Sequence, residues 1–77
     1  MNNKTPKDTM NRILRLGKCI AKRRKVMHLT QNQLAEIVDI SREHLAKIET
    51  AKRSISLDLL IKIADTLNVK VKDLFEF

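Results

Sequence analysis

The chain has very little of several residues on which whole classes of protein depend. A single cysteine, Cys19, forms no internal disulfide, which indicates a reducing compartment. A single glycine, Gly17, excludes a Gly-rich phosphate loop and disfavours nucleotide binding. The two histidines lack the Cys/His spacing of a zinc site, and Ser41 with His44 lacks the context of a nucleophile elbow. We therefore expect no metal, no cofactor, no small-molecule ligand and no enzymatic activity.

Aromatic residues and long apolar runs are also scarce. The only aromatic residues are Phe75 and Phe77, both at the C-terminal end. Proteins that bind single strands or RNA usually stack bases on aromatic side chains, so a nucleic-acid partner of this chain would be duplex DNA. No apolar run approaches the roughly 20 residues of a membrane span, and the polar N-terminus lacks the apolar segment of a signal peptide. These absences predict a soluble cytoplasmic protein without membrane contact.

Positive charge, in contrast, is abundant and unevenly distributed. The 77 residues, enough for one domain with a modest core, carry a net charge of +7. Residues 1–53 contain thirteen Lys/Arg and five Asp/Glu, whereas residues 54–77 contain three Lys and four Asp/Glu. A surface that meets phosphates would show this excess, although a basic surface kept for solubility would show it too.

The pattern of apolar residues predicts five helices and no strands. Residues 1–9 are polar and are predicted to form a flexible N-terminal arm, whereas residues 10–77 form the folded domain. The first helix should span residues 10–27. Gly17 lies in its middle, at a cost of up to about 1 kcal/mol against alanine. Either close approach of another helix or a tolerated defect explains it.

Polar residues at capping positions predict where the later helices begin. Thr30 and Gln33 can form a capping box at the start of the second helix, which should end near Val38. Ser41 is expected to cap the third helix, which should end near Thr50.

The C-terminal part is predicted to add two more helices and complete an all-α, compact five-helix bundle. Ser56 is expected to cap the fourth helix, and a short fifth helix should run over residues 71–75. The fourth helix is expected to bury one row of apolar residues, namely Leu57, Leu60, Ile63, Ala64 and Leu67.

The second and third helices form two short amphipathic segments around a tight turn at Asp39 and Ile40. Their apolar positions would bury one face of each helix. The third helix would then present an outward edge made of Ser41, Arg42, Glu43 and Lys47. A polar, partly basic helix held rigidly at the surface is what reading a DNA groove requires.

Several motifs occur in the order typical of one family. They are the runs L-T-Q-N-Q-L-A-E and V-D-I-S-R, I-E at Ile48 and Glu49, K-R at Lys52 and Arg53, and the closing L-L-I-K-I-A-D-T-L-N-V-K-V-K-D-L-F. From about Leu16 to Phe75 the chain resembles the helix-turn-helix domain of the Cro and phage-repressor (XRE-like) family, with its lambda-repressor-like fold. The resemblance implies sequence-specific DNA binding, normally as a homodimer on a palindromic operator, by a transcriptional regulator that is more often a repressor.

The sequence departs from the family where glycine is often found, at His28, Asp39, Ala51 and Asn68. Histidine, aspartate and asparagine are the non-glycine residues most often seen at positive φ, so three of these positions can keep the geometry that ends a helix. Alanine is not such a residue. We therefore expect the loop after the third helix to bend differently.

The resemblance implies that the third helix lies in the major groove. Base contacts then fall to Arg42 and Glu43, with Lys47 one turn further along and Ser41 at the entrance. Arg42 can donate to guanine O6 and N7, whereas Glu43 can accept from cytosine or serve to reject wrong sites. Contacts to the DNA backbone are expected from Gln31, Asn32, Arg24, Lys52 and Arg53, although Lys52 and Arg53 are also typical of plain surface decoration.

The family commonly pairs an arginine and a glutamate at the positions of Arg24 and Glu49. The resemblance thus implies a partly buried ion pair that orients the recognition helix and presents Arg24 to a phosphate. Two exposed, unrelated charges are the alternative.

A dimer interface is suggested by apolar residues beyond the needs of one small core. We place it near the fourth and fifth helices, at Leu59, Val71, Phe75 and Phe77, although Phe75 is also expected in the core and a frayed tail explains Phe77 equally well. Other functions stay open, namely an antitoxin, a restriction-modification controller, or a protein-interaction module that binds no DNA. The outer face of the second helix is weakly acidic and could touch RNA polymerase if the protein activates.

Overall fold

The computed structural model describes residues 6–75. This part of the chain contains four α-helices followed by one 3-10 helix. The helices are α1 (Pro6–Val26), α2 (Gln31–Ile37), α3 (Arg42–Glu49), α4 (Leu57–Thr66) and the 3-10 helix (Val71–Phe75). No strand occurs between residues 6 and 75, so the all-α class is confirmed.

The predicted five-helix bundle is wrong in its count, because the element at residues 71–75 is a 3-10 helix and only four α-helices precede it among the described residues. It is only five residues long, and Asp73 fixes its first turn twice. The Asp73 N–H donates to the Lys70 carbonyl at 2.9 Å, and the Asp73 carboxylate accepts from the Lys70 N–H at 2.9 Å. The 3-10 helix is typically used in short pieces of this kind.

The first helix begins at Pro6 rather than at residue 10. Proline is well suited to the first helical position, because the N–H that it lacks would have no partner there. Asp8 follows in the first turn, where a carboxylate interacts favourably with the helix dipole. Residues 6–9 of the predicted arm therefore belong to α1.

The predicted caps are confirmed at the start of each later α-helix. The Thr30 hydroxyl accepts from the Gln33 N–H at 3.1 Å, and the Gln33 side chain accepts from the Thr30 N–H at 2.8 Å. The Ser41 hydroxyl accepts from the His44 N–H at 3.0 Å. The Ser56 hydroxyl accepts from the N–H of residue 59 at 3.3 Å. These local bonds fix where α2, α3 and α4 begin.

Gly17 is explained by a close helix crossing. A Cβ atom at this position would lie 2.6 Å from the carbonyl oxygens of both Ile48 and Glu49. Only a residue without a side chain allows α1 to pass so near the end of α3. The tolerated-defect interpretation is therefore wrong, and the crossing sets the distance between α1 and α3.

Every helix contributes to a single core. The side chains with almost no exposed surface come from α1, α2, α3, α4 and the 3-10 helix in turn, as Ile20, Leu34, Leu45, Ile63 and Leu74. Around them lie the other buried apolar residues, which are Leu16, Ala35, Val38, Ile48, Leu59, Leu60, Ala64 and Leu67.

Three expected burial states in the C-terminal part are wrong. Leu57 was expected in the core but is 71% exposed, whereas Leu59, expected at a dimer interface, is 8% exposed. The inward row of α4 follows Leu59 and Ile63, which places Leu57 above Ile61 on the outer flank. Phe75, also expected in the core, is 46% exposed, whereas the neighbouring Leu74 is fully buried.

All four α-helices end in the same turn. His28, Asp39, Ala51 and Asn68 have positive φ values of 57°, 61°, 61° and 56°. In each case the next residue donates its N–H to a carbonyl five residues back, at 2.8 to 3.1 Å. This bond is the mark of a Schellman ending.

The left-handed geometry is thus kept at the three positions where it was expected. The expectation that the loop after α3 bends differently is wrong. Alanine adopts the glycine conformation there, held by the bond of 2.8 Å from the Lys52 N–H to the Lys47 carbonyl.

Ala51 holds a left-handed backbone conformation that favours glycine. A left-handed conformation costs a residue with a Cβ about 1–2 kcal/mol. Replacing alanine by glycine removes this cost, but glycine loses more conformational entropy on folding, which offsets part of the gain in stability. We expect Ala51→Gly to raise the free energy of unfolding by about 1 kcal/mol in urea denaturation. The matched control is Ala46→Gly, inside α3, which should lower it by about 1 kcal/mol. An Ala51→Gly variant less stable than the parent would contradict the interpretation.

Candidate nucleic-acid interface

The outward edge of α3 has the predicted composition. Leu45 and Ile48 are buried against the rest of the domain. The side chains of the opposite edge are all exposed, namely Ser41, Arg42, Glu43 and Lys47. The helix therefore shows to solvent a short strip of one hydroxyl, two cations and one carboxylate, while its other side is fixed in the core.

The predicted ion pair between Arg24 and Glu49 is present. The Arg24 Nε atom lies 2.8 Å from Glu49 Oε2, and Nη2 donates to Oε1 at 3.1 Å. Two parallel bonds of this kind are stronger and more directional than a single one. Both residues are 7% exposed, so the pair is buried rather than partly buried, and it ties α1 to the last residue of α3.

Arg24 also holds the connection between α1 and α2. Its Nη1 atom donates to the Leu29 carbonyl oxygen at 2.8 Å. All three nitrogen atoms of the guanidinium group therefore donate within the protein. A phosphate could therefore be contacted only by the N–H bonds of Arg24 that point away from Glu49 and Leu29. The contact of Arg24 with a phosphate stays a prediction.

Gln31 links the ion pair to the exposed edge of α3. The Gln31 Nε2 atom donates to Glu49 Oε1 at 2.9 Å, and Arg42 Nη1 lies 3.4 Å from Gln31 Oε1. A carboxylate only accepts and a guanidinium only donates, so the amide of Gln31 has one satisfying orientation. Glu49 thereby turns the Gln31 carbonyl towards Arg42.

The sequence does not reveal this bridging role, because its pattern indicates only a contact of Gln31 with the DNA backbone. Gln31 and Glu49 are separated by 18 positions in the chain, and no local pattern joins them. The usable signal was the position of Gln31, because the first residue of α2 follows directly on the loop that Arg24 holds.

The other residues predicted to contact the DNA backbone are exposed. Asn32 lies in the first turn of α2, and Lys52 and Arg53 lie in the loop after α3.

The pKa of His44 is influenced by two of the nearby cations. Burial of the ring lowers the pKa of His44 below its usual 6.5, and the charges of Arg53 and then Lys47 lower it further. Cations of both α3 and the following loop therefore act on His44.

Two structural observations bear on other kinds of site. Between residues 6 and 75 there is no group of three or more His, Cys, Asp or Glu side chains that could hold a metal ion. No helix in this part of the chain is long and apolar enough to cross a membrane.

Loss of the Glu49 carboxylate should destabilise the fold strongly. Glu49→Ala leaves Arg24 buried without its partner, and removing one member of a buried pair typically costs about 3–5 kcal/mol. We expect urea denaturation to show a loss of this size. Glu43→Ala, the matched change on the exposed edge of the same helix, should alter stability by no more than about 0.5 kcal/mol. Equal stabilities of the two variants would show that the pair does not hold the helices.

Comparison with known proteins agrees with this geometry. The helix-turn-helix family pattern matches residues 20–74. An uncharacterized HTH-type transcriptional regulator of Archaeoglobus fulgidus is 39% identical over 54 residues, which are 70% of this chain and 76% of that protein. The control protein C.BamHI of Bacillus amyloliquefaciens is 38% identical over 50 residues, or 65% of this chain and 62% of its own length.

The fold also matches a solved structure. The restriction-modification controller protein C.AhdI of Aeromonas hydrophila superposes with a TM-score of 0.78 and 25% identity, covering 82% of this chain and 96% of that one. Family pattern, relatives and fold point the same way: the chain belongs to the helix-turn-helix family of transcriptional regulators.

Proposed function

We propose that this protein binds duplex DNA sequence-specifically and regulates transcription by placing α3 in the major groove. The observation that carries the proposal is the exposed edge of α3, held on its buried side by the core and by the Arg24–Glu49 pair. A reading helix needs this rigidity, because base discrimination depends on side chains held in register with base edges.

Base recognition is assigned to the first turns of α3. Arg42 offers two N–H groups to guanine O6 and N7, and its contact with Gln31 limits the directions it can take. Glu43 accepts from a cytosine amino group or repels wrong sites. Lys47 lies one turn further along, and Ser41 lies at the entrance of the helix.

Contacts to the DNA backbone are assigned to the loop that follows α3 and to the first turn of α2. Lys52 and Arg53 supply cations on one side of the reading helix, and Gln31 and Asn32 supply donors on the other. Because the Gln31 side chain is engaged with Glu49, a phosphate contact from this residue would use its backbone N–H.

A homodimer on a palindromic operator, acting as a repressor, completes the proposal. Leu57 and Ile61 are exposed on the outer flank of α4 at a spacing that places them on one face, and they replace Leu59 in the interface suggested by the sequence. Two further residues of the suggested interface belong to the 3-10 helix. Val71 is half-buried, and Phe75 is exposed. Phe77 lies outside the described residues. Two recognition helices about 34 Å apart would read half-sites one turn apart.

A second candidate within the same class is a restriction-modification controller. The relatives C.BamHI and C.AhdI are named control or controller proteins, which favours this function over the antitoxin. The exposed residues Glu36 and Asp39 on α2 and its C-terminal turn would be the contact for RNA polymerase if the protein activates. A protein-interaction module without DNA is the alternative of a different class.

Selection of bound sites from a random duplex pool tests the proposal. We expect a palindrome with some G·C pairs in each half-site. Arg42→Ala should then cost about 1–3 kcal/mol of binding free energy and relax the preference at one base pair, whereas Lys52→Ala should weaken all sequences alike. Binding measured on single-base variants of the selected site separates the two effects.

The proposal fails if no preferred site emerges, or if neither substitution alters binding. Affinity for duplex DNA that does not fall with salt would favour the protein-interaction module, since phosphate contacts make binding strongly salt-dependent.

A further inference from the structure

The whole net charge of the protein resides on α1. Pro6–Val26 contains eight Lys/Arg and one Asp, which amounts to +7, the charge of the entire chain, so the remaining residues balance to zero. The segment Gln31–Glu49, which includes the proposed reading helix, holds two Lys/Arg and four Asp/Glu and is net −2. Attraction to DNA phosphates therefore has to come mainly from outside the reading unit.

Three of these cations form a row beside the end of α3. Lys18, Lys22 and Lys25 are all exposed, and their spacing of four and three residues places them on one face of α1. The row is about 10 Å long at 1.5 Å per residue. None of the three ammonium groups forms an ion pair with a residue that the structure describes.

The row borders an open groove of about 600 Å³ between α1 and α3. Ala21 and Val26 form its apolar surface, and Glu49 and Thr50 line the side that belongs to the end of α3. The Glu49 carboxylate is already bonded to Arg24 and Gln31. The groove therefore combines apolar surface with three cations, and the charge of its one carboxylate, that of Glu49, is balanced by Arg24.

A sugar-phosphate strand has the matching chemistry, with phosphates for the ammonium groups and apolar sugar edges for the groove surface. The groove is also continuous with the proposed interface, because Thr50 precedes the Lys52–Arg53 loop by two residues. Phosphates follow one another at about 3.4 Å of helix axis on each strand, so a row of this length can meet up to about three.

We propose that Lys18, Lys22 and Lys25 bind phosphates of the same duplex, flanking the bases read by α3, and supply much of the salt-dependent affinity. This inference rests on the proposed function. It assigns sequence preference and electrostatic affinity to different helices, α3 and α1.

The test compares two triple variants of the full chain that carry the same total charge. Lys18→Gln/Lys22→Gln/Lys25→Gln removes the row, and Lys62→Gln/Lys70→Gln/Lys72→Gln removes three exposed lysines from the C-terminal part. Both substitute exposed side chains, and urea denaturation verifies that both fold. Affinity for the selected duplex is measured by fluorescence anisotropy across a series of salt concentrations.

Log affinity falls as log salt rises, and the row variant should make this fall less steep. The magnitude of the slope should decrease by about 0.9 for each phosphate that is no longer neutralised, or by up to about 2.7 per bound protomer. The control should change the slope far less, and the preferred bases should be the same for both. Equal slopes for the two triple variants would overturn this inference, even where Arg42→Ala still relaxes base preference. If the parent chain binds no duplex, the proposed function and this inference fail together.

Discussion

The buried contact between Arg24 and Glu49 is the constraint on which the rest of the arrangement depends. It joins the C-terminal part of α1 to the last residue of α3, and a third bond from Arg24 holds the loop that leads into α2. Gly17 makes this possible by letting α1 approach the α3 backbone. Burying two charges adds little net stability, but it strongly penalises any packing that separates them. The pair thus selects one relative placement of three helices.

The same contact extends to the surface. Glu49 fixes the amide of Gln31, and Gln31 faces Arg42 with its carbonyl oxygen. A side chain proposed to read a base is therefore connected through one residue to a buried charge pair. In the proposed complex, this contact would reduce the cost of ordering Arg42 on DNA, because part of that order exists beforehand. In the proposed mechanism α3 contributes the base preference, while the lysine-rich α1 contributes the attraction that a reading unit of net negative charge cannot supply.

Much of this fold could be predicted from the sequence, because the signals are local. Thr30, Ser41 and Ser56 cap helices through bonds three residues away, and His28, Asp39 and Asn68 end helices within one turn. The ion pair, in contrast, was accessible only through the resemblance to the family, since its members are 25 positions apart. The expectations that proved wrong concern which residues of α4 and of the 3-10 helix face the core. Leu57 and Phe75 were as apolar as Leu59 and Leu74, and only tertiary packing decides which of them faces inward.

Replacing both members of the ion pair by apolar residues tests the central claim most directly. Substituting a buried pair by apolar side chains of similar volume is often neutral for stability. Arg24→Met/Glu49→Leu should therefore retain a free energy of unfolding close to that of the parent. Gln31 would lose its anchor, however, so the preference for the base pair read by Arg42 should relax. A double variant that keeps both its stability and its full base preference would contradict the claim that this contact orients the reading helix.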